Sequence, residues 1–226
     1  MGWINFIIFI ILAIAGVWGM LSRAKWMKEQ SQKKQKVLIY KELEEKKIMA
    51  YSEEARIIGT DRLLLRLFKE SDAPEVTRLC NNYNIYKNTL YLPYLYYKED
   101  ALIWIKDHFE NFEEERSFEF AITDKLTGKL YGAIALSNQS KFSNGELAYW
   151  IGEEYWGNGY ATEAAEAVLE FAFAEKGYHK VFARYFHTNP ASGRIMEKIG
   201  MKKEGTLKEH LKKDDEYIDL IFFWNT

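Results

Sequence analysis

The chain has one cysteine, Cys80, so it can form no internal disulfide. Its four histidines, His108, His179, His187 and His210, stand at no metal-ligand spacing from one another or from Cys80, and no metal site is expected. Charge of one sign is also missing. The 31 Lys and Arg nearly balance the 33 Asp and Glu, for a formal net charge of -2, so no global field would gather nucleic acid and no direct nucleic-acid partner is expected. The sequence after Ile58 contains no low-complexity linker and no internal repeat. What remains is ordinary globular material. In 226 residues, 48% are hydrophobic and 16% aromatic, enough for a packed core, while 28% charged residues argue against both disorder and a multi-span membrane protein.

Residues 1–22 carry no charged side chain, and between Trp3 and Leu21 only Asn5 is strongly polar. A helix over that stretch rises about 1.5 Å per residue to roughly 28 Å, close to the ~30 Å hydrocarbon core of a bilayer. Arg23, Lys25, Lys28, Lys33, Lys34, Lys36 and Lys41 follow against Glu29, and such flanks stay on the cytoplasmic side. The expectation is a single-pass anchor in the cell membrane, contacting lipid through this helix, with the body in the cytosol. A cleaved signal peptide is the competing reading, with Ala13-Ile14-Ala15 as a small-x-small site. No Lys or Arg precedes the apolar run, however, and the run continues past that point. Residues 23–58 read as a charged helical stalk with a weak apolar stripe through Val37, Leu38, Leu43, Ile48 and Met49.

Residues 59–226 read as one domain. Arg62–Leu67 is a strand candidate, and Asp72 with Pro74 opens a helix to about Asn82. An aromatic, irregular segment, Asn84–Tyr97, leads to a helix over Lys98–Phe112. Phe118–Thr123 and Lys129–Leu136 alternate around Asp124–Gly128 as a hairpin, and Glu146–Ile151 supplies another strand. Ala161–Lys176 has apolar residues at one-sided helical spacing, closed by Gly177. Val181–His187 then reads as β, Asn189-Pro190 opens a helix to about Ile199, and Glu216–Trp224 is a final strand. This order implies an α+β fold with a mixed sheet.

Between the strand near Ile151 and the long helix lies Trp156-Gly157-Asn158-Gly159-Tyr160-Ala161. Glycines remove the Cβ atoms that would obstruct an anion, and such a loop aims free N–H groups and the positive end of a helix dipole at one point. A tight strand–helix turn explains Gly-x-Gly equally well. A dinucleotide fingerprint needs a third small residue and a later acid, but the chain has Thr162 and then Gly177-Tyr178-His179. The Gly-Lys-Ser/Thr of a nucleotide P-loop is absent.

Several blocks in fixed order now resemble the GNAT superfamily of acetyl-coenzyme A-dependent N-acetyltransferases, and within it the Rim-type ribosomal-protein alanine acetyltransferases. They are Thr60-Asp61-Arg62-Leu63, Glu146–Ile151, Trp156–Ala164, and Asn189-Pro190-Ala191-Ser192 leading to Met196–Met201. The resemblance implies a mixed, mostly antiparallel sheet flanked by helices. It implies acetyl-coenzyme A as cosubstrate, no metal, and the amides of Trp156, Gly157, Asn158, Gly159, Tyr160 and Ala161 on its pyrophosphate. Asn189 would contact the pantetheine arm, although an Asn before Pro190 also suits a helix cap. Ser192 would lie near the thioester, in place of the general-acid Tyr that many members carry where this chain has Met196. Trp156 stands where the general pattern begins with Gln or Arg.

Glu146 matches a strand position where members place a base that deprotonates the acceptor, usually through water. At pH 7 an α-amine of pKa about 7.7–8.0 is neutral to roughly 10–20%, and a Lys amine near 10.4 to only a few parts in ten thousand, so a peptide N-terminus asks less of that base. The expected acceptor is a protein or peptide N-terminal α-amine. The alternatives are a small amine such as a polyamine or aminoglycoside, or a non-catalytic acyl-coenzyme A sensor or membrane scaffold. Glu163 and Glu166 suit the helix dipole, and both are expected to face solvent.

Overall fold

The computed structural model describes residues 34, 51–52, 56–138 and 140–226. The anchor expected at residues 1–22 and the stalk up to residue 50, apart from the helical Lys34, lie outside them. Among the described residues no helix is long and apolar enough to cross a membrane.

One nine-stranded sheet runs in the order β1-β2-β3-β4-β5-β6-β7-β9-β8. Its strands are β1 (Tyr51–Ser52), β2 (Ile57–Gly59), β3 (Leu63–Leu67), β4 (Ser117–Asp124), β5 (Leu130–Ser137), β6 (Asn144–Ile151), β7 (Lys180–Phe186), β8 (Lys202–Lys213) and β9 (Glu216–Asn225). Every neighbouring pair is antiparallel except β6 and β7. The expected α+β mixed sheet is therefore present. Strand β1 and most of β2 fall where the charge pattern suggested the end of a helical stalk, so the sheet begins earlier than residue 59.

Helix α1 (Ala73–Cys80) starts with Pro74 in its first turn, as its sequence predicts. The aromatic segment contains a one-turn helix, α2 (Tyr83–Tyr86), capped by the Asn82 side chain on the amides of Asn84 and Ile85. The helix expected over Lys98–Phe112 is two, α3 (Lys98–Lys106) and α4 (His108–Glu113), because Asp107 leaves helical geometry at ψ 1°. Helix α5 (Tyr160–Glu170) buries Ala161, Ala164, Ala165, Val168 and Leu169, small residues first, so its N-terminal end can lie close to the sheet. It widens into a π turn at Phe171–Glu175, where Lys176 N–H reaches back to the Phe171 carbonyl. Phe171 meets Phe118 and Phe120 edge-on in the core. Helix α6 (Pro190–Lys198) completes the fold.

His108 is 3% exposed and packs edge-on against Phe68 and Trp104, and its Nδ1 has no hydrogen-bond partner among the described residues. Burial pushes its pKa down to about 4 from the ordinary 6.5, with Asp107 pulling the other way. The unfolded imidazole protonates first as pH falls, so stability is full above pH 6.5 and is lost on the way down to 4. Denaturant titrations at pH 7 and 4.5 should show the wild type losing about 2 kcal/mol more than His108→Phe. Equal losses would refute this account of the site.

Candidate active site

The β6–β7 pair is the one parallel pair in the sheet, and it is short. Cα partners run only from Asn144 with Lys180 to Glu146 with Phe182. Beyond Glu146 each strand keeps its outer neighbour, β6 pairing with β5 to Ile151 and β7 with β9 to Phe186, while the two separate from each other. The split opens a cleft of about 770 Å³.

Strand alternation assigns side chains to the two faces of this cleft. The Tyr149 hydroxyl donates to the Ser192 carbonyl at 3.1 Å, so odd-numbered β6 residues face α6. Glu146 has the opposite parity. It shares the other face with Arg184, whose Nε donates to Glu146 Oε1 at 2.7 Å, and with the wall made by Asn84, Asn88 and Tyr91. The cleft therefore has two mouths, one beside α5 and α6 and one beside α2.

At the first mouth, Gly157 and Gly159 adopt φ of +80° and +81°, which residues with a Cβ reach only with strain, and α5 starts at Tyr160. The Trp156 indole N–H donates to the Ile151 carbonyl at 2.6 Å and fastens the loop to the end of β6. Trp156, Gly157, Gly159, Tyr160 and Ala161 line the cleft. Asn158 does not, because its side-chain amide turns back onto the Tyr155 and Trp156 carbonyls. Asn189 caps no amide of α6 with its side chain. Its Nδ2 donates instead to Ser192 Oγ at 3.0 Å, and both residues line the cleft. Met196 is buried at 2% exposure.

Glu163 does not face solvent as its place in the first turn suggested, whereas Glu166 does. Its Oε1 accepts from Thr60 Oγ1 at 2.6 Å and from Arg62 N–H at 2.9 Å, and its Oε2 from Arg62 Nε at 2.7 Å. Burial alone would push its pKa up, but Thr60 and Arg62 together hold it below the usual value. Arg62 Nη1 also donates to the Asn158 carbonyl at 3.0 Å, and its guanidinium lies over the Tyr160 ring. The block around Arg62 thus latches the glycine loop from behind and turns the Asn158 carbonyl away from the cleft. Sequence reading found these residues only as a motif. The latch needs contacts across about a hundred positions of chain.

A family model described as an acetyltransferase (GNAT) domain matches residues 62–202. The chain belongs to the GNAT acetyltransferase family. The N-acetyltransferase YnaD of Bacillus subtilis, uncharacterized by name, is 32% identical over 167 residues, 74% of this chain and 94% of that relative. The ribosomal protein uS5-alanine N-acetyltransferase of Escherichia coli is 27% identical over 175 residues, 73% of this chain and 87% of the relative. A GNAT-family acetyltransferase from Bacillus anthracis superposes with a TM-score of 0.68 at 25% identity, covering 75% of this chain and 97% of its own. As a GNAT member the chain is an acyltransferase that uses acetyl-coenzyme A. The cleft fits that cosubstrate: the left-handed glycines of the loop and the α5 N-terminus meet at one mouth of an opening that runs through the sheet. Among the described residues no group of three or more His, Cys, Asp or Glu side chains could hold a metal ion.

Proposed function

We propose that this GNAT member is a membrane-anchored N-acetyltransferase whose catalytic domain lies in the cytosol and whose acceptor is the α-amine of a protein or peptide N-terminus. The observation carrying the proposal is the two-mouthed cleft, with Glu146 where the strands part. Cosubstrate and amine could then meet inside the sheet from opposite faces. The relative named for acetylating an alanine of ribosomal protein uS5 supports a protein acceptor.

Acetyl-coenzyme A supplies the acetyl group as a thioester. In this reading the backbone amides from Trp156 to Ala161 hold its pyrophosphate, helped by the dipole of α5. Asn158 contributes through its backbone, since its side chain is spent within the loop. Asn189 and Ser192 sit along the pantetheine arm. Because Ser192 Oγ accepts from Asn189, its own O–H is free to hydrogen-bond the departing sulfur, which takes its proton through water. Glu146 takes the proton of the incoming amine, directly or through water, on Oε2, the oxygen that Arg184 leaves open. Backbone N–H groups facing the opening steady the charge that develops on the acetyl oxygen.

The acceptor class is tested by incubating the full chain with acetyl-coenzyme A and, in parallel, peptides with free N-termini, spermidine and an aminoglycoside, and following the free thiol released. Peptides should be preferred. Faster turnover of spermidine or the aminoglycoside would replace this reading with the small-amine one.

The anchor rests on the uncharged run of residues 1–22 and the basic flank after it. A carboxy-terminal reporter should be active only in its cytosolic form. Activity only of a form that works outside the cytosol, or a mature chain beginning near Gly16, would overturn the topology.

A further inference from the structure

The acceptor mouth has an unusual charge arrangement. Among the described residues Glu146 is the one acidic residue lining the cleft, and it is already ion-paired with Arg184; Arg194 and Lys198 are the other charged residues of that lining. Three of the acids around it are hydrogen-bonded elsewhere. Glu153 accepts from Asn82 and Asn84, Asp219 from Lys208 and the Glu209 N–H, and Asp214 from the Tyr86 hydroxyl. A polycationic amine would need carboxylates for its second and third ammonium groups, and the cleft lining offers none that is free.

Arg184 itself is half used. Only its Nε is engaged, while neither Nη has a hydrogen-bond partner among the described residues, and its side chain is 31% exposed on the cleft wall. The contact with Glu146 tethers the guanidinium and leaves its outer N–H groups, a planar fork suited to a carboxylate, unbonded. With Nε on Oε1, the second oxygen of Glu146 and the two Nη groups of Arg184 are left unbonded on one cleft lining. An acceptor filling both places carries an amine and an anionic group only a few bonds apart.

We propose that Arg184 is a specificity-determining residue: its free guanidinium edge selects peptide acceptors that carry an acidic side chain next to the N-terminal residue, and disfavours polyamines. The proposal rests on the reading of the cleft as an α-amine acetylation site. A hydrogen-bonded charge pair of this kind is worth about tenfold or more in selectivity.

The test uses three peptides identical except for Asp, Asn or Lys at the second position, with spermidine as a fourth acceptor, on the full chain. The Asp peptide should show kcat/KM about tenfold above the Asn peptide, the Lys peptide should be poorer still, and the difference should lie mainly in KM. In Arg184→Gln the Asp/Asn ratio should fall to near one, and in Arg184→Lys it should be partly retained. If Arg184 serves only to place Glu146, Arg184→Gln will lower kcat for all peptides alike and leave the ratio intact, which overturns the proposal. Equal rates for the three peptides in the wild type overturn it without any variant and leave the acetylation reading standing. Failure of every amine, or preference for spermidine, removes the reading and the proposal together.

Discussion

Glu146→Gln should lower turnover by about 10²–10⁴-fold, the usual range for a lost general base, with acetyl-coenzyme A affinity almost unchanged. The amide keeps an oxygen for the Arg184 Nε–H, so the cleft wall stays assembled and only the proton acceptor is removed. Its backbone N–H still donates to Ser137 Oγ at 2.8 Å, which fixes the strand at this point. The loss should shrink as assay pH rises toward the pKa of the acceptor amine, where the nucleophile is already neutral. It should be larger for a Lys side-chain acceptor than for an α-amine. A pH–rate comparison of the two enzymes on one peptide separates these effects. Wild-type turnover by the variant at pH 6.5 would show that solvent or another group takes the proton.

Gly159→Val should weaken acetyl-coenzyme A binding by roughly 10–100-fold while changing acceptor KM little. At φ +81° a β-branched residue is strained by about 1–3 kcal/mol, so the loop either stores that strain or relaxes and loses the alignment of its amides. Space is the smaller problem: a Cβ there would meet only Arg62 Nη2, at 3.4 Å. Any movement of the guanidinium would loosen its grip on the Asn158 carbonyl and add to the loss. Calorimetry on the folded variant reads the affinity directly. An unchanged value would make the loop a structural turn with no part in holding the pyrophosphate.

The elements legible in the sequence were those whose partners are local or whose burial is one-sided. The hairpin of β4 and β5, helix α5 with its stripe of alanines, and Pro190 at the start of α6 each announce themselves within a dozen residues. Strand β8 does not. Lys202–Lys213 has almost no buried side chain, carries Lys at 202, 203, 208, 212 and 213, and exists because β9 offers it an edge, so no burial pattern marks it. Helices α3 and α4 separate at Asp107, a residue that a helical period reads through without difficulty.

The site divides the same way. The glycine loop and Glu146 stand in recognisable blocks, but what surrounds them is tertiary. Arg184 sits in a β run between Phe182 and Phe186, on the face parity gives it, and meets Glu146 only because β6 and β7 run parallel there. A charged residue at that phase of an apolar strand was the available signal. Glu163 departs from its expected exposure because a first-turn glutamate suits the helix dipole whether or not it also binds Arg62 and Thr60, and periodicity cannot distinguish the two.

The measurement closest to the central claim is a single-turnover reaction of the full chain with acetyl-coenzyme A labelled in its acetyl group and a peptide bearing both a free N-terminus and an internal lysine. Fragmentation by mass spectrometry then locates the label. The account predicts label on the N-terminal α-amine, with one free coenzyme A thiol formed per acetyl transferred. Label confined to the lysine, or thiol released with no label on the peptide, would contradict it.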